Sequence, residues 1–126
     1  MFKGARPVIW AIITALVFKL FVFDFIVAQG HSMEPAIHNG TVLIISRLRY
    51  GLQLPFGQKY LIRWAEPLIG EVVIFYTPDG ELAVKRCVMI LGQKFYAEGD
   101  NSLTSYDSRA YGPVPIDNII GKVLGY

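Results

Sequence analysis

The chain opens with an apolar run that no ordinary surface helix could carry. From Val8 to Phe18 only Thr14 is polar; after Lys19 the run resumes through Leu20, Phe21, Val22 and Phe23, meets Asp24, and ends at Phe25, Ile26, Val27 and Ala28. A helix packed on a water-soluble core keeps a polar face, so a run apolar all round points to hydrocarbon as its solvent. As one helix it would cover the roughly 30 Å of a bilayer core at about 1.5 Å per residue. Lys19 is the costly residue, since a charge at mid-bilayer costs roughly 2.5–3.5 kcal/mol on insertion scales. With the membrane starting near Pro7, its stem reaches the far headgroup layer and Asp24 lies at the outer interface. Lys3, Arg6 and the amino terminus precede the run, so the positive-inside rule keeps that end cytoplasmic and everything after Ala28 outside. A cleavable leader is the competing reading, because Ile26-Val27-Ala28 suits a cleavage site. The run is longer than the roughly 7–15 residues of a leader's apolar core, which favours an uncleaved anchor. The expected organisation is therefore a cytoplasmic segment 1–7, a transmembrane anchor 8–27 and an outer domain 28–126.

What remains outside the anchor is enough for one small core and too little for two. The formal charge of +2 is small and scattered, which argues against nucleic acid as a partner. Cys87 is the single cysteine, so no internal disulfide forms and no metal-ligand spacing exists. A small buried apolar side chain is its ordinary role.

Past Gly30 the chain reads as short strands: Thr41 to Ile45, Glu71 to Tyr76, Leu82 to Ile90, Gln93 to Ala97 and Asn118 to Leu124. Each is rich in β-branched or aromatic residues and bounded by Gly, Pro, Asn or Asp. Thr77-Pro78-Asp79-Gly80 and Leu91-Gly92 read as turns. The expected fold is mainly β: a small catalytic domain of antiparallel strands, partly barrel-like, behind one N-terminal transmembrane helix. Between Ser46 and Trp64, Arg47, Arg49, Lys59 and Arg63 alternate with Tyr50, Leu54, Phe56, Tyr60 and Leu61. That mixture suits either anionic headgroups beside the anchor or an ordinary solvated loop and strand.

Ser32 and Lys85 are the residues with chemical potential. A serine hydroxyl needs a base, and neither histidine is well placed for the task. His31 adjoins Ser32 on the backbone, where neighbouring side chains of an extended segment diverge, and His38 falls in a loop before Asn39-Gly40. Lysine is the alternative, provided that it is dry enough to lose its proton, since at an ordinary pKa near 10.4 only about one in a thousand is neutral near pH 7.5. In an extended Leu82 to Ile90, Lys85 shares a face with Ala83, Cys87 and Met89, while Val84, Arg86 and Val88 take the other. A lysine among such neighbours hydrates poorly, although an edge or solvated position is the common fate of a strand lysine. Arg86 is free to take an acid on the opposite face, with Asp100 and Asp107 as the candidates.

The ordered motifs carry a family resemblance. Gly30-His31-Ser32-Met33-Glu34-Pro35 resembles the nucleophile box of the bacterial type I signal peptidases, the serine/lysine-dyad leader peptidases. Thr41 to Tyr50 is similar to their next box, with Thr41 where an acid is common. Gly70 to Phe75 resembles their Gly-acid-hydrophobic strand, and Val84-Lys85-Arg86 matches the segment bearing the family's base. Gly99-Asp100-Asn101, Ser105, Asp107-Ser108-Arg109 and Gly112-Pro113-Val114-Pro115 reproduce the closing box. The departures are Gly30, where many relatives have an oxyanion-hole hydroxyl, and size: only Met89 to Glu98 stands where longer members insert a further β subdomain.

The resemblance implies a serine endopeptidase of the plasma (inner) membrane, single-pass, with a cytoplasmic N-terminus and its catalytic domain on the outer face. It would remove signal peptides from exported preproteins after small residues of the Ala-x-Ala type. Ser32 would be the nucleophile, neutral Lys85 the general base, and Ser105 the hydroxyl that orients the amine. The oxyanion would rest on the Ser32 backbone N–H, with help from Gly30. Substrate would add as a strand beside Val27, Ala28 and Gln29 and beside Leu82, Ala83 and Val84. Arg86, Asp100, Asp107 and Arg109 would brace the site. No metal and no cofactor is implied, and the partners are preprotein signal peptides and the bilayer, with the enzyme a monomer. The alternatives are a specialised pilin or leader-processing peptidase of the same clan, or an inactive tethered β-domain that binds exported segments.

Overall fold

The computed structural model describes residues 4–18, 22–53 and 60–126. Its helix α1, Arg6–Val17, carries Pro7 in its first turn, where the missing N–H suits a helix entrance, and is 12 residues long. At about 1.5 Å per residue that is roughly 18 Å, and among the described residues no helix is long and apolar enough to cross a membrane. Lys3 and Lys19 lie outside the described residues. The last part of the expected anchor is a correction: Phe23–Val27 is strand β1, not helix, paired antiparallel with Val42–Ser46 (β2). Its side chains alternate in exposure, Phe23, Phe25 and Val27 outward and Asp24 and Ile26 partly covered. The edge of a β-sheet and an apolar helix share the same composition, which is why the run hid its strand.

The other strands follow the expected mainly β, antiparallel pattern. Gly51–Gln53 (β3) and Tyr60–Arg63 (β4) form a separate hairpin. Val72–Tyr76 (β5), Leu82–Leu91 (β6), Lys94–Glu98 (β7), Val114–Pro115 (β8) and Ile119–Gly125 (β9) join β1 and β2 in one sheet of order β1-β2-β9-β5-β6-β7-β8. A short helix, α2 (Ser108–Tyr111), and a 3-10 turn precede β9. The arginines that suited either a headgroup layer or an ordinary solvated loop and strand are ion-paired within the domain: Arg47 with Asp24, Arg49 with Glu71, and Arg63 with Asp117. Leu54, Phe56 and Lys59 lie outside the described residues.

Strand β5 is buried on both faces, so its alternating side chains serve two cores. Val73 and Phe75 point into one with Tyr50, Cys87, Phe95 and Ile119. Val72 and Ile74 point into the other with Met33, Ile37, Leu43, Ile45 and Val123. Phe75 and Phe95 meet edge to face at 5.3 Å between ring centres, the geometry that opposes a ring's positive rim to its neighbour's negative face. The second core is the one that matters for chemistry, because its Met33 and Ile37 fasten the segment that holds Ser32.

Two free edges follow from the topology. Among the described residues strand β1 ends the sheet and pairs only with β2. Strand β6 pairs with β5 along Leu82 to Arg86 but meets β7 only from Arg86 onward, so its first half has an unladdered edge.

Candidate active site

A cleft of about 540 Å³ lies between those two edges. One wall is the segment from Ile26 to Met33, the other is Glu81 to Lys85, and Ile37 and Ile74 add to Met33 to make an apolar floor. Val27, Ala28, Gln29, Leu82, Ala83 and Val84, the six residues expected to meet substrate, all line it. Ser32 and Lys85 line it as well.

Ser32 is fixed from below and from the side. Met33 and Ile37 are buried, and Ile37 N–H donates to the Met33 carbonyl at 2.9 Å, closing one turn behind the serine. Asn101 clamps the flanking backbone: its N–H donates to the Ser32 carbonyl at 2.8 Å and its Nδ2 to the His31 carbonyl at 3.1 Å. Gly99 is required for this approach, since a Cβ there would lie 2.6 Å from the Ser32 carbonyl oxygen and inside Ser105. Gly30 has φ of +88°, a backbone state that favours glycine, and its N–H donates to Asn39 Oδ1 at 2.9 Å. The Gly30 amide is thus engaged, and among the described residues nothing accepts from the Ser32 N–H. His31 pairs with Glu34 at 2.5 Å on the cleft rim, and His38 is exposed.

Lys85 is 7% exposed. It sits opposite Val73 in the β5–β6 ladder, on the face that Ala83 and Cys87 bury. The nearby polar groups are committed elsewhere. Asp100 takes Arg86, Asp107 takes Arg109, and the Ser105 hydroxyl donates to Asp107. Lys85 itself has no ion pair and no hydrogen bond among the described residues, and none joins it directly to Ser32. Burial pushes its amine below the ordinary lysine range; Asp107 pulls it back up and Arg109 pushes it down again.

The closing segment is a connected polar frame. Asp107 is fully buried and accepts from the Gly99 N–H at 2.8 Å, the Arg109 N–H at 3.0 Å, Arg109 Nη2 at 2.6 Å and the Ser105 hydroxyl. Burial alone would raise its carboxyl pKa, but the bonds from Arg109, Ser105 and Gly99 hold it well below the usual carboxylate range. Arg109 also donates to the Gly99 carbonyl at 3.1 Å. Arg86 makes a two-pronged pair with Asp100 at 2.9 and 2.8 Å and reaches the Gly70 carbonyl at 2.8 Å. Of the two acids open to Arg86 in the sequence, the fold selects Asp100.

The sequence is matched by a family model. The model described as "Signal peptidase, peptidase S26" matches residues 2–98 and 89–125. The chain belongs to that family. A mitochondrial inner membrane protease subunit 1 from Xenopus tropicalis is 30% identical over 115 residues, covering 82% of this chain and 68% of that protein. Signal peptidase I of Bacillus caldolyticus is 25% identical over 162 residues, covering 96% and 88%. Signal peptidase I of Pseudomonas fluorescens is 26% identical over 103 residues, which is 80% of this chain but 35% of that longer protein. Membership of the signal peptidase family makes the chain a peptidase by descent and ties it in general terms to signal-peptide removal.

Sequence reasoning singled out the serine, the lysine and the frame, and missed the parts that hold them. Asn101 stood inside the Gly99-Asp100-Asn101 motif, yet nothing local showed that its two donors would reach across to residues 31 and 32. The Asn39 clamp on Gly30, the floor residues Ile37 and Ile74, and Tyr106 on the cleft wall carried no local signal either.

Proposed function

We propose that this signal peptidase family member is a membrane-anchored serine endopeptidase that cleaves leader peptides after small residues, with Ser32 as nucleophile and neutral Lys85 as base. The observation that carries the reading is a largely buried lysine, without a hydrogen bond or ion pair among the described residues, sharing one cleft with a serine. An extended leader would ladder onto the free edges of β1 and β6, and shallow space above Met33, Ile37 and Ile74 would admit small side chains.

The polar frame suggests how the proton moves. Ser105 gives its only proton to Asp107, so towards Lys85 it offers lone pairs alone. A neutral amine has N–H groups for such an acceptor and keeps its own lone pair for the Ser32 hydroxyl. As Oγ attacks the scissile carbonyl, Lys85 takes the proton; it then protonates the leaving amine and later activates the water that releases the acyl group. The unengaged Ser32 N–H is the donor available to the oxyanion. Arg86–Asp100 and Arg109–Asp107 would keep the β6 strand and the closing segment in register around these atoms.

Anchoring is part of the proposal. The N-terminal run would hold the domain at the outer face of the plasma membrane, N-terminus cytoplasmic, where leaders arrive already inserted and confinement raises their effective concentration. Incubating the full chain with a radiolabelled preprotein tests the reading. Ser32→Ala and Lys85→Ala should each remove cleavage while circular dichroism remains that of the wild type. Full activity in either variant rules the dyad out.

A further inference from the structure

Tyr106 lies between the orienting hydroxyl of Ser105 and the buried Asp107, and its ring leaves that frame to line the cleft. It is 57% exposed. Two contacts fix it: the ring stands edge to face on Tyr111 at 5.1 Å, and its hydroxyl donates to Asp79 Oδ2 at 3.3 Å. Tyr111 packs against the core of Val73, Phe75 and Cys87, whereas the cleft floor of Met33, Ile37 and Ile74 belongs to the other core. Tyr106 therefore stands on the side of β6 away from the floor. Its hydroxyl reaches the β5–β6 turn that carries Asp79.

Side chains of an extended peptide alternate between faces. Strand β6 shows which faces these are, because Ala83 packs on the first core and Val84 on the second. A leader laid beside Leu82 to Lys85 inherits the same division. If its last residue before the cut and the residue two earlier point to the floor, the residue between them points to the wall of Thr104 and Tyr106. Resting on the peptidase reading above, we propose that Tyr106 is a specificity-determining residue for the middle position of the recognised tripeptide, where its ring stacks on a planar side chain, an aromatic ring or a guanidinium.

Electrostatics refine the choice. Glu81 lines the cleft, Asp79 stands behind Tyr106 as the acceptor of its hydroxyl, and neither acid has an ion pair among the described residues. Their combined charge raises the Tyr106 hydroxyl pKa, Asp79 contributing most. An acidic side chain at the middle position would meet that field and be disfavoured, while a guanidinium gains from it.

The experiment measures binding, so that it does not depend on turnover. Full-length Ser32→Ala protein in detergent is titrated with leader peptides that end Ala-x-Ala at the cut and differ only at x: Phe, Arg, Ala or Glu. Phe and Arg peptides should bind about three- to tenfold tighter than Ala, the span of one stacking or cation–ring contact, and Glu more weakly than Ala. Adding Tyr106→Ala should bring Phe and Arg to within about twofold of Ala, while Tyr106→Phe keeps the ring and most of the preference. Asp79→Asn with Glu81→Gln should relieve the penalty on Glu. Equal affinities for Phe, Arg and Ala, or a preference that survives Tyr106→Ala, overturn the assignment. Wild-type protein that cleaves its preprotein yet shows no preference at x leaves the peptidase standing and the subsite refuted. Ring-dependent discrimination without any cleavage supports the subsite and removes the peptidase.

Discussion

Lys85 and Arg86 are consecutive residues of one strand with opposite fates. The strand's alternation sends the arginine to a face where Asp100 and the Gly70 carbonyl take three of its N–H groups, and the bonds to Asp100 raise its pKa further. It sends the lysine to the face where, among the described residues, no acid pairs with it and burial pushes its pKa down. The same formal charge thus becomes a brace at one position and a proposed base at the next. Guanidinium suits the first role because it is planar, many-handed and never neutral; an amine suits the second because drying can strip its proton. What separates them is the set of neighbours, since a two-residue stretch of sequence has no charge difference to show.

The comparison breaks most visibly at Lys85. Lys85→Arg keeps a cation but forfeits the base, and cleavage of a preprotein should fall at least about a thousandfold, within the range attributed to general-base catalysis and nucleophile activation. Wild-type kcat/KM should rise with pH as the depressed amine loses its proton. The sign for stability is the same: between the folded pKa and the ordinary lysine value the unfolded chain holds one more proton, so wild-type stability climbs with pH across that window. Lys85→Met should flatten that slope in urea melts at several pH values and stabilise most at the acid end. A slope that persists in the methionine variant would mean that Lys85 is ordinarily hydrated.

Ser105→Ala tests the amine's orientation rather than its chemistry. We expect a loss of about ten- to a hundredfold in kcat, less than at Lys85, because Asp107 keeps Arg109 and the Gly99 N–H as partners. An unchanged kcat would deny Ser105 that task.

At Arg86 the expected effect is on folding. Arg86→Ala removes two charge-assisted bonds and one to a carbonyl, worth about 1–3 kcal/mol together after discounting for partial exposure, read as a fall in Tm of several degrees. Asp100→Asn keeps one acceptor and should cost about 1 kcal/mol or less. If Arg86→Ala silenced the enzyme with Tm unchanged, the brace would have to be redrawn as part of the chemistry.

The legible parts of this molecule were those governed by a strict period. Alternation in β6 assigned Lys85 and Arg86 to different faces before any fold was known, and turn residues at Thr77 to Gly80 closed the hairpin where the structure has it. The β1 strand was not legible because its neighbours Val8 to Val22 are as apolar as it is, so the only clue was the weak alternation of Phe23, Asp24 and Phe25. The β3–β4 hairpin was obscured for another reason. Gly51 permits a close crossing, where a Cβ would lie 2.8 Å from the Arg63 Cα, and that is a tertiary fact with no local signature. In the site, the polar frame was readable as residues but not as a circuit. Asp107 and Asp100 had equal claims on Arg86 until the chain reversal near Gly99 turned one inward and the other out.

The gap between β1 and β6 is a missing rung. Only a segment that gives up its own internal hydrogen bonds can fill it, because the unladdered backbone of Leu82 to Lys85 asks for partners in the spacing of an open strand. Under the proposed activity a leader must unwind over the few residues it presents, and a passenger that has already folded offers no such thread. Conformation would be read before side chains, and the mature protein would be spared by its own structure.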